Sequence, residues 1–120
     1  MRITFLGSGT SHGVPLIGCS CPVCTSTDPR NERLRPSIMV ERGGRCILVD
    51  TTPDLRLQAL RQHMLRVDAV LITHTHADHV FGMDELRRFN QLIGDVIPVY
   101  GSEQSLDDIR RIYRYVFVPT

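Results

Sequence analysis

The chain has 120 residues, 42% of them hydrophobic and 22% charged, with a net charge of +1. Those values exclude a disordered chain and any bulk electrostatic attraction to nucleic acid or a membrane surface. The length suits one small domain or part of a larger one, and no run approaches the roughly 20 apolar residues that span a bilayer.

The N-terminus, "MRITFLGSG", has too short an apolar run for a secretory signal. A cytoplasmic location is therefore expected. There, the clustered cysteines Cys19, Cys21 and Cys24 suit metal binding better than disulfides. All 14 basic residues are arginine, a bias attributed to genome composition ahead of phosphate binding.

"RITFLG" (2–7) reads as a first strand ending at a glycine. A Gly-rich loop, "GSGTSHGVPLIG", follows, and irregular sequence continues to Pro36. A loop that long is usually functional or held by something, and a bound metal would hold this one. "SIMVERGGRCILVD" (37–50) predicts a β-hairpin turning at Gly43-Gly44. Thr51 and Asp54 match a capping pattern for a helix to about His63 that buries Leu55, Ala59 and Leu60. "VDAVLITH" (67–74) predicts a strand buried on both faces. A short helix is expected within "DHVFGMDELRRFNQL" and a strand at "IPVYG". "SEQSLDDIRRIYRYV" (102–116) predicts a helix with Leu106, Ile109, Ile112 and Tyr113 on one face. The closing "YVFVPT" is apolar. The order is that of an α/β chain without internal repeats.

The densest chemistry lies at the end of the buried strand. "THTHADH" holds His74, His76, Asp78 and His79. In extended chain, His74 and His76 point to the same side and can converge on one ion. After the chain turns, Asp78 and His79 can face a second point nearby. Imidazole suits zinc, iron, manganese or nickel, and a carboxylate adds charge compensation for a second ion. Two ions about 3.5–4 Å apart can clamp both oxygens of a displacement at phosphorus. The plain alternative is a strand exit with solvated or capping histidines.

"HTHADH" resembles the HxHxDH signature of the metallo-β-lactamase superfamily, and "VLIT" before it and "ILVDTTPD" upstream fit the same pattern. The resemblance implies an α/β (α+β) fold, the N-terminal half of an αββα sandwich, over residues 1–120. It implies that His74 and His76 hold one divalent ion and that Asp78, also the candidate catalytic carboxylate, and His79 hold another, zinc or manganese. It gives Asp50 the role of bracing the ligand loop; otherwise Asp50 is a turn or helix-capping carboxylate.

Cys19-x-Cys21-x-x-Cys24 offers three thiolates to one tetrahedral zinc, which needs a fourth ligand; the alternative is reduced surface thiols. The stretch from "FLGSGTSHG" through "CSCPVC" to "RLRPS" is similar to the phosphodiesterase branch that contains phosphoribosyl cyclic phosphate phosphodiesterase. That similarity implies a structural zinc on the three cysteines, with a histidine from the C-terminal part as fourth ligand. Cys46, between apolar neighbours, reads as core.

The Gly-rich loop is GxGxxxG and leads into Pro15, so it is no dinucleotide fingerprint. The resemblance implies that this loop lies near the metal site, where backbone N–H groups of Ser8 to Gly13 could touch a phosphate. His12 either contacts substrate or braces the loop, and His63 is a surface residue.

The resembling domains are about twice this long, and their further ligands come later in sequence. No histidine follows His79 here. The expectation is a metal-dependent phosphodiesterase acting on a small cyclic phosphate or similar diester. The chain alone is expected to be inactive or weakly active, with a homodimer or a complementing C-terminal half as partner. Rivals with the same metals act on a thioester, a lactam or an RNA 3′ end, although nothing basic marks an RNA exosite. The rival of another class is a non-catalytic, zinc-stabilised half-domain.

Overall fold

A computed structural model describes residues 1–118; Pro119 and Thr120, the end of the apolar "YVFVPT", lie outside the described residues. Five strands form one sheet in the order β1 (Arg2–Gly7), β2 (Ser37–Arg42), β3 (Arg45–Val49), β4 (Ala69–Leu71), β5 (Val99–Tyr100). The first three run antiparallel to their neighbours, and β3, β4 and β5 are parallel. The hairpin turns where expected: Gly43 and Gly44 both have positive φ, 58° and 75°, which matches the twist of the flanking strands.

Parallel neighbours need crossovers, and helices supply them. Helix α1 (Leu55–Arg61) joins β3 to β4. Between β4 and β5 lie α2 (Ala77–Val80), a 3₁₀ turn (Met83–Glu85) and α3 (Leu86–Ile93). After β5 come α4 (Glu103–Ile112) and α5 (Arg114–Phe117). No helix of the described residues is long and apolar enough to cross a membrane.

Strand alternation sorts the sheet into two faces. The row Thr4, Met39, Leu48, Val70, Val99 runs across all five strands on one face. Leu6, Met39, Leu48 and Val70 there form one core with Leu55, Val80, Met83, Leu86, Phe89, Ile109 and Tyr113 from the helical segments. The adjacent row Phe5, Ile38, Val49, Leu71, Tyr100 occupies the other face. Phe5 is 74% exposed and Tyr100 56%. One sheet layer and one helix layer are what half of an αββα sandwich requires.

Four expectations need correction. Leu71 on β4 is 41% exposed, so that strand is buried on one face only. In α1, Leu60 is 55% exposed while Gln58 is buried; hydrogen bonds from Gln58 to Thr52 and Arg35 satisfy its polar end and let it replace an apolar side chain. Asp54 sits at the N-cap of α1 without a side-chain capping bond, because its carboxylate accepts from Arg35 instead. The helix expected over 102–116 breaks at Tyr113 into α4 and α5, and Ile112 is exposed.

Candidate metal centre

The site begins with a backbone choice. At the end of β3, Asp50 takes φ 63°, a left-handed conformation that aspartate tolerates better than most residues. Its N–H donates to the Leu71 carbonyl at 2.8 Å, extending the β3–β4 pairing. The turn leaves the buried carboxylate at the mouth of β4. There Oδ1 accepts the Thr73 N–H at 2.8 Å, and Oδ2 accepts the Thr73 hydroxyl and the His79 Nδ1–H, each at 2.7 Å. Asp50 thus ties Thr73 and His79 to the end of β3.

These bonds assign the tautomers. Thr73 has one hydroxyl proton and gives it to Asp50, so it accepts from His74 Nδ1 at 3.0 Å. His79 Nδ1 likewise donates to a group with only acceptors. Both rings therefore keep the Nε2 lone pair for a ligand, the usual arrangement for a metal-binding histidine.

The four residues of "HTHADH" come together. The His74 ring centroid lies 4.6 Å from that of His76 and 4.0 Å from that of His79. His76 caps α2, while Asp78 and His79 occupy that helix. Asp78 Oδ2 is 3.0 Å from His79 Nε2. Two donors at that separation fit one divalent ion with bonds of about 2.0–2.2 Å. Among the described residues only the cysteines bring three donor atoms within 4.8 Å of one another. The histidine cluster therefore offers its donors in pairs, without enclosing a single point.

A second set of bonds ties the loop after Asp50 to α2. Thr51 N–H donates to the His79 carbonyl at 2.8 Å, and Gly82 N–H donates to the Thr51 carbonyl at 3.0 Å. A Cβ at Gly82 would lie 1.7 Å from the Thr52 carbonyl oxygen, so only glycine permits this approach.

The cysteine cluster forms with all three Sγ atoms within 4.8 Å. Thiolates around a tetrahedral zinc stand about 3.8 Å apart, given bonds of about 2.3 Å, so small adjustments suffice. The Leu16 N–H donates to Cys24 Sγ and the Cys24 N–H to Cys21 Sγ, each at 3.4 Å. The Cys24 N–H, with the neighbouring Cys19 and Cys24 thiols, lowers the Cys21 thiol to about 7. That favours the thiolate, the form that binds metal. Cys46 is the opposite case: burial pushes its thiol up to about 11, as expected for a core cysteine.

The Gly-rich loop is tied into the fold by its own backbone. Gly9 N–H is bound to the Leu34 carbonyl and Gly13 N–H to the Thr10 carbonyl, so these two donors are committed within the fold. Side chains hold the loop as well: Arg33 donates to Ser8 Oγ at 2.8 Å and Arg35 Nε to the Ser11 carbonyl at 3.1 Å. His12 is exposed in a shallow cleft with Arg33, Arg35 and Asp54, which shares no lining residue with the histidine cluster. His63 is exposed. Sequence reasoning missed Thr73, whose hydroxyl links Asp50 to His74; a threonine before a histidine carries no distinguishing signal.

A family model described as a beta-lactamase superfamily domain matches residues 45–120. The chain belongs to the beta-lactamase superfamily. The crystal structure of a diphosphatase from the PhnP family is similar at a TM-score of 0.91 and 47% identity, over 96% of this chain and 46% of that one. That likeness agrees with the branch inferred from the cysteine-rich stretch. Zinc-bound PqqB from Methylobacterium extorquens is similar at a TM-score of 0.63 and 26% identity, over 85% of this chain and 46% of that one. In sequence, an octanoyltransferase of Porphyromonas gingivalis is 46% identical over 118 residues, 98% of this chain and 24% of that protein. The chain spans less than half the length of each of these relatives.

Proposed function

We propose that the chain carries part of the dinuclear metal centre of a hydrolase that acts at phosphorus, with a small cyclic phosphate or similar diester as substrate. The single observation that carries this reading is the shared carboxylate of Asp50. It fixes Thr73 and His79 together and leaves Nε2 of His74 and His79 available to a cation. His74 and His76 would hold one ion, Asp78 and His79 the other, and Cys19, Cys21 and Cys24 a structural zinc. Bound there, two divalent ions supply Lewis acidity toward phosphate oxygens and acidify a water for attack at phosphorus. The protein's own part is orientation: Asp50 holds the tautomers, and the loop bonds of Thr51 and Gly82 hold α2 against it.

The substrate class draws on the PhnP-family diphosphatase, which combines high identity with near-complete coverage of this chain. The octanoyltransferase is matched across only 24% of its own length, so its name describes a protein with much beyond the shared part. We further propose that the missing ligands come from a segment equivalent to the relatives' remaining half, which would cover the bare face of Phe5, Leu71 and Tyr100. A second copy of the chain is the alternative cover. Reduced, metal-ready thiols fit a cytoplasmic setting.

The test is hydrolysis of a cyclic ribose phosphate and of bis(p-nitrophenyl) phosphate with added Mn²⁺ or Zn²⁺. The whole protein should turn over and His74→Ala should lose nearly all activity, while the 120-residue chain alone should be weak or inactive. Cleavage of thioesters or lactams with no phosphodiester turnover would refute the substrate assignment.

A further inference from the structure

We propose that Asp108, on α4, is a positioning residue for the metal centre, acting through Thr75. The proposal rests on the metal-dependent reading above. Thr75 is the residue between His74 and His76. Its hydroxyl donates to Asp108 Oδ2 at 2.8 Å, across 33 residues of sequence. The other oxygen, Asp108 Oδ1, accepts from Arg111 Nη2 at 2.5 Å, which orients the carboxylate from one helical turn away.

The same helix reaches the segment a second time. Five residues beyond Asp108, the Tyr113 hydroxyl donates to the Val80 carbonyl at 2.7 Å. Val80 is the last residue of α2, five beyond Thr75. The C-terminal half of α4 and its cap residue therefore grip both ends of the ligand segment. The grip matters most for His76. His74 and His79 have ring hydrogen bonds to Thr73 and Asp50, whereas His76 has none among the described residues. Its direction is left to its backbone, fixed on one side by the start of α2 and on the other by Thr75. Rotation at Thr75 would alter the 4.6 Å spacing of the His74 and His76 rings.

A purely structural role is the competing explanation, since Arg111–Asp108 is an i,i+3 pair at the helix surface and Thr75–Asp108 also fastens α4. Mn²⁺ binding separates the two, because manganese takes nitrogen and oxygen ligands and leaves the thiolates aside. The whole protein is titrated with Mn²⁺ while the free-ion EPR signal and, separately, metal-free thermal unfolding are followed. Thr75→Val and Asp108→Ala should each weaken Mn²⁺ binding by about 10-fold or more. Thr75→Ser should bind like wild type, and the double variant should be no worse than the weaker single, since one bond is lost in each. A lower melting temperature with unchanged Mn²⁺ affinity would overturn the proposal. The Thr75→Val and Thr75→Ser pair decides it even if Asp108→Ala does not fold. Wild type that binds no Mn²⁺ removable by His76→Ala would instead overturn the metal reading itself, and this proposal with it.

Discussion

Asp50 and His79, 29 residues apart in sequence, meet in a 2.7 Å hydrogen bond between carboxylate and Nδ1. The same oxygen also accepts from Thr73, so one buried side chain sets two loops. Asp50→Asn should keep the size but present an amide where His79 and Thr73 both donate. Metal affinity and turnover should fall together by about 10- to 100-fold, measured by Mn²⁺ titration beside the phosphodiesterase assay. Unchanged affinity would remove the bracing role.

Gly82→Ala tests the approach of α2 to the loop after Asp50. The new methyl would meet backbone, the Thr52 carbonyl at 1.7 Å, so chain rather than a flexible side chain must move. A loss of about 1–3 kcal/mol is expected, read as a lower urea midpoint with unchanged slope. A neutral result would mean the loop and α2 are looser than described.

The thiols make a pH prediction. Cys21 is lowered from 9.0 to about 7 in the metal-free chain. Between those values the folded chain holds a thiolate that the unfolded chain does not, so its contribution to stability grows as pH rises through that window and is lost as pH falls through about 7. Alkylation of the metal-free protein should therefore reach half its maximal rate near pH 7 at Cys21. Zinc should suppress it. Cys46, buried and pushed up to about 11, should stay unmodified until unfolding. Reaction of Cys21 only near pH 9, untouched by zinc, would deny the cluster its metal role.

Much of this was legible in the sequence, for definable reasons. Divalent ions demand several imidazoles and carboxylates within a few residues, so "HTHADH" and "CSCPVC" stand out against any background. Asp50 is readable only through the family resemblance, as the aspartate that ends the upstream apolar strand. The supports were not readable. Thr73, Thr75 and Asp108 act through side-chain hydrogen bonds that span 23 and 33 residues, and such pairings depend on packing that local pattern does not encode. The same cause explains Gln58 inside and Leu60 outside: a partner for the amide decided burial where hydrophobicity pointed the other way.

The apolar row across the open sheet face predicts association. Phe5, at the antiparallel edge, is the most exposed member of that row. Phe5→Asp should reduce self-association of the 120-residue chain in sedimentation velocity while leaving its circular dichroism unchanged. A chain that is equally monomeric with either residue would argue against a covering partner.

Elemental analysis of the whole protein, purified without chelator and supplied with Mn²⁺ and Zn²⁺, tests the dinuclear centre most directly. The account predicts one zinc that Cys21→Ala removes, together with two further ions lost in a His74→Ala, His79→Ala double variant. Zinc at the cysteines alone, with a metal content indifferent to both histidines, would contradict it.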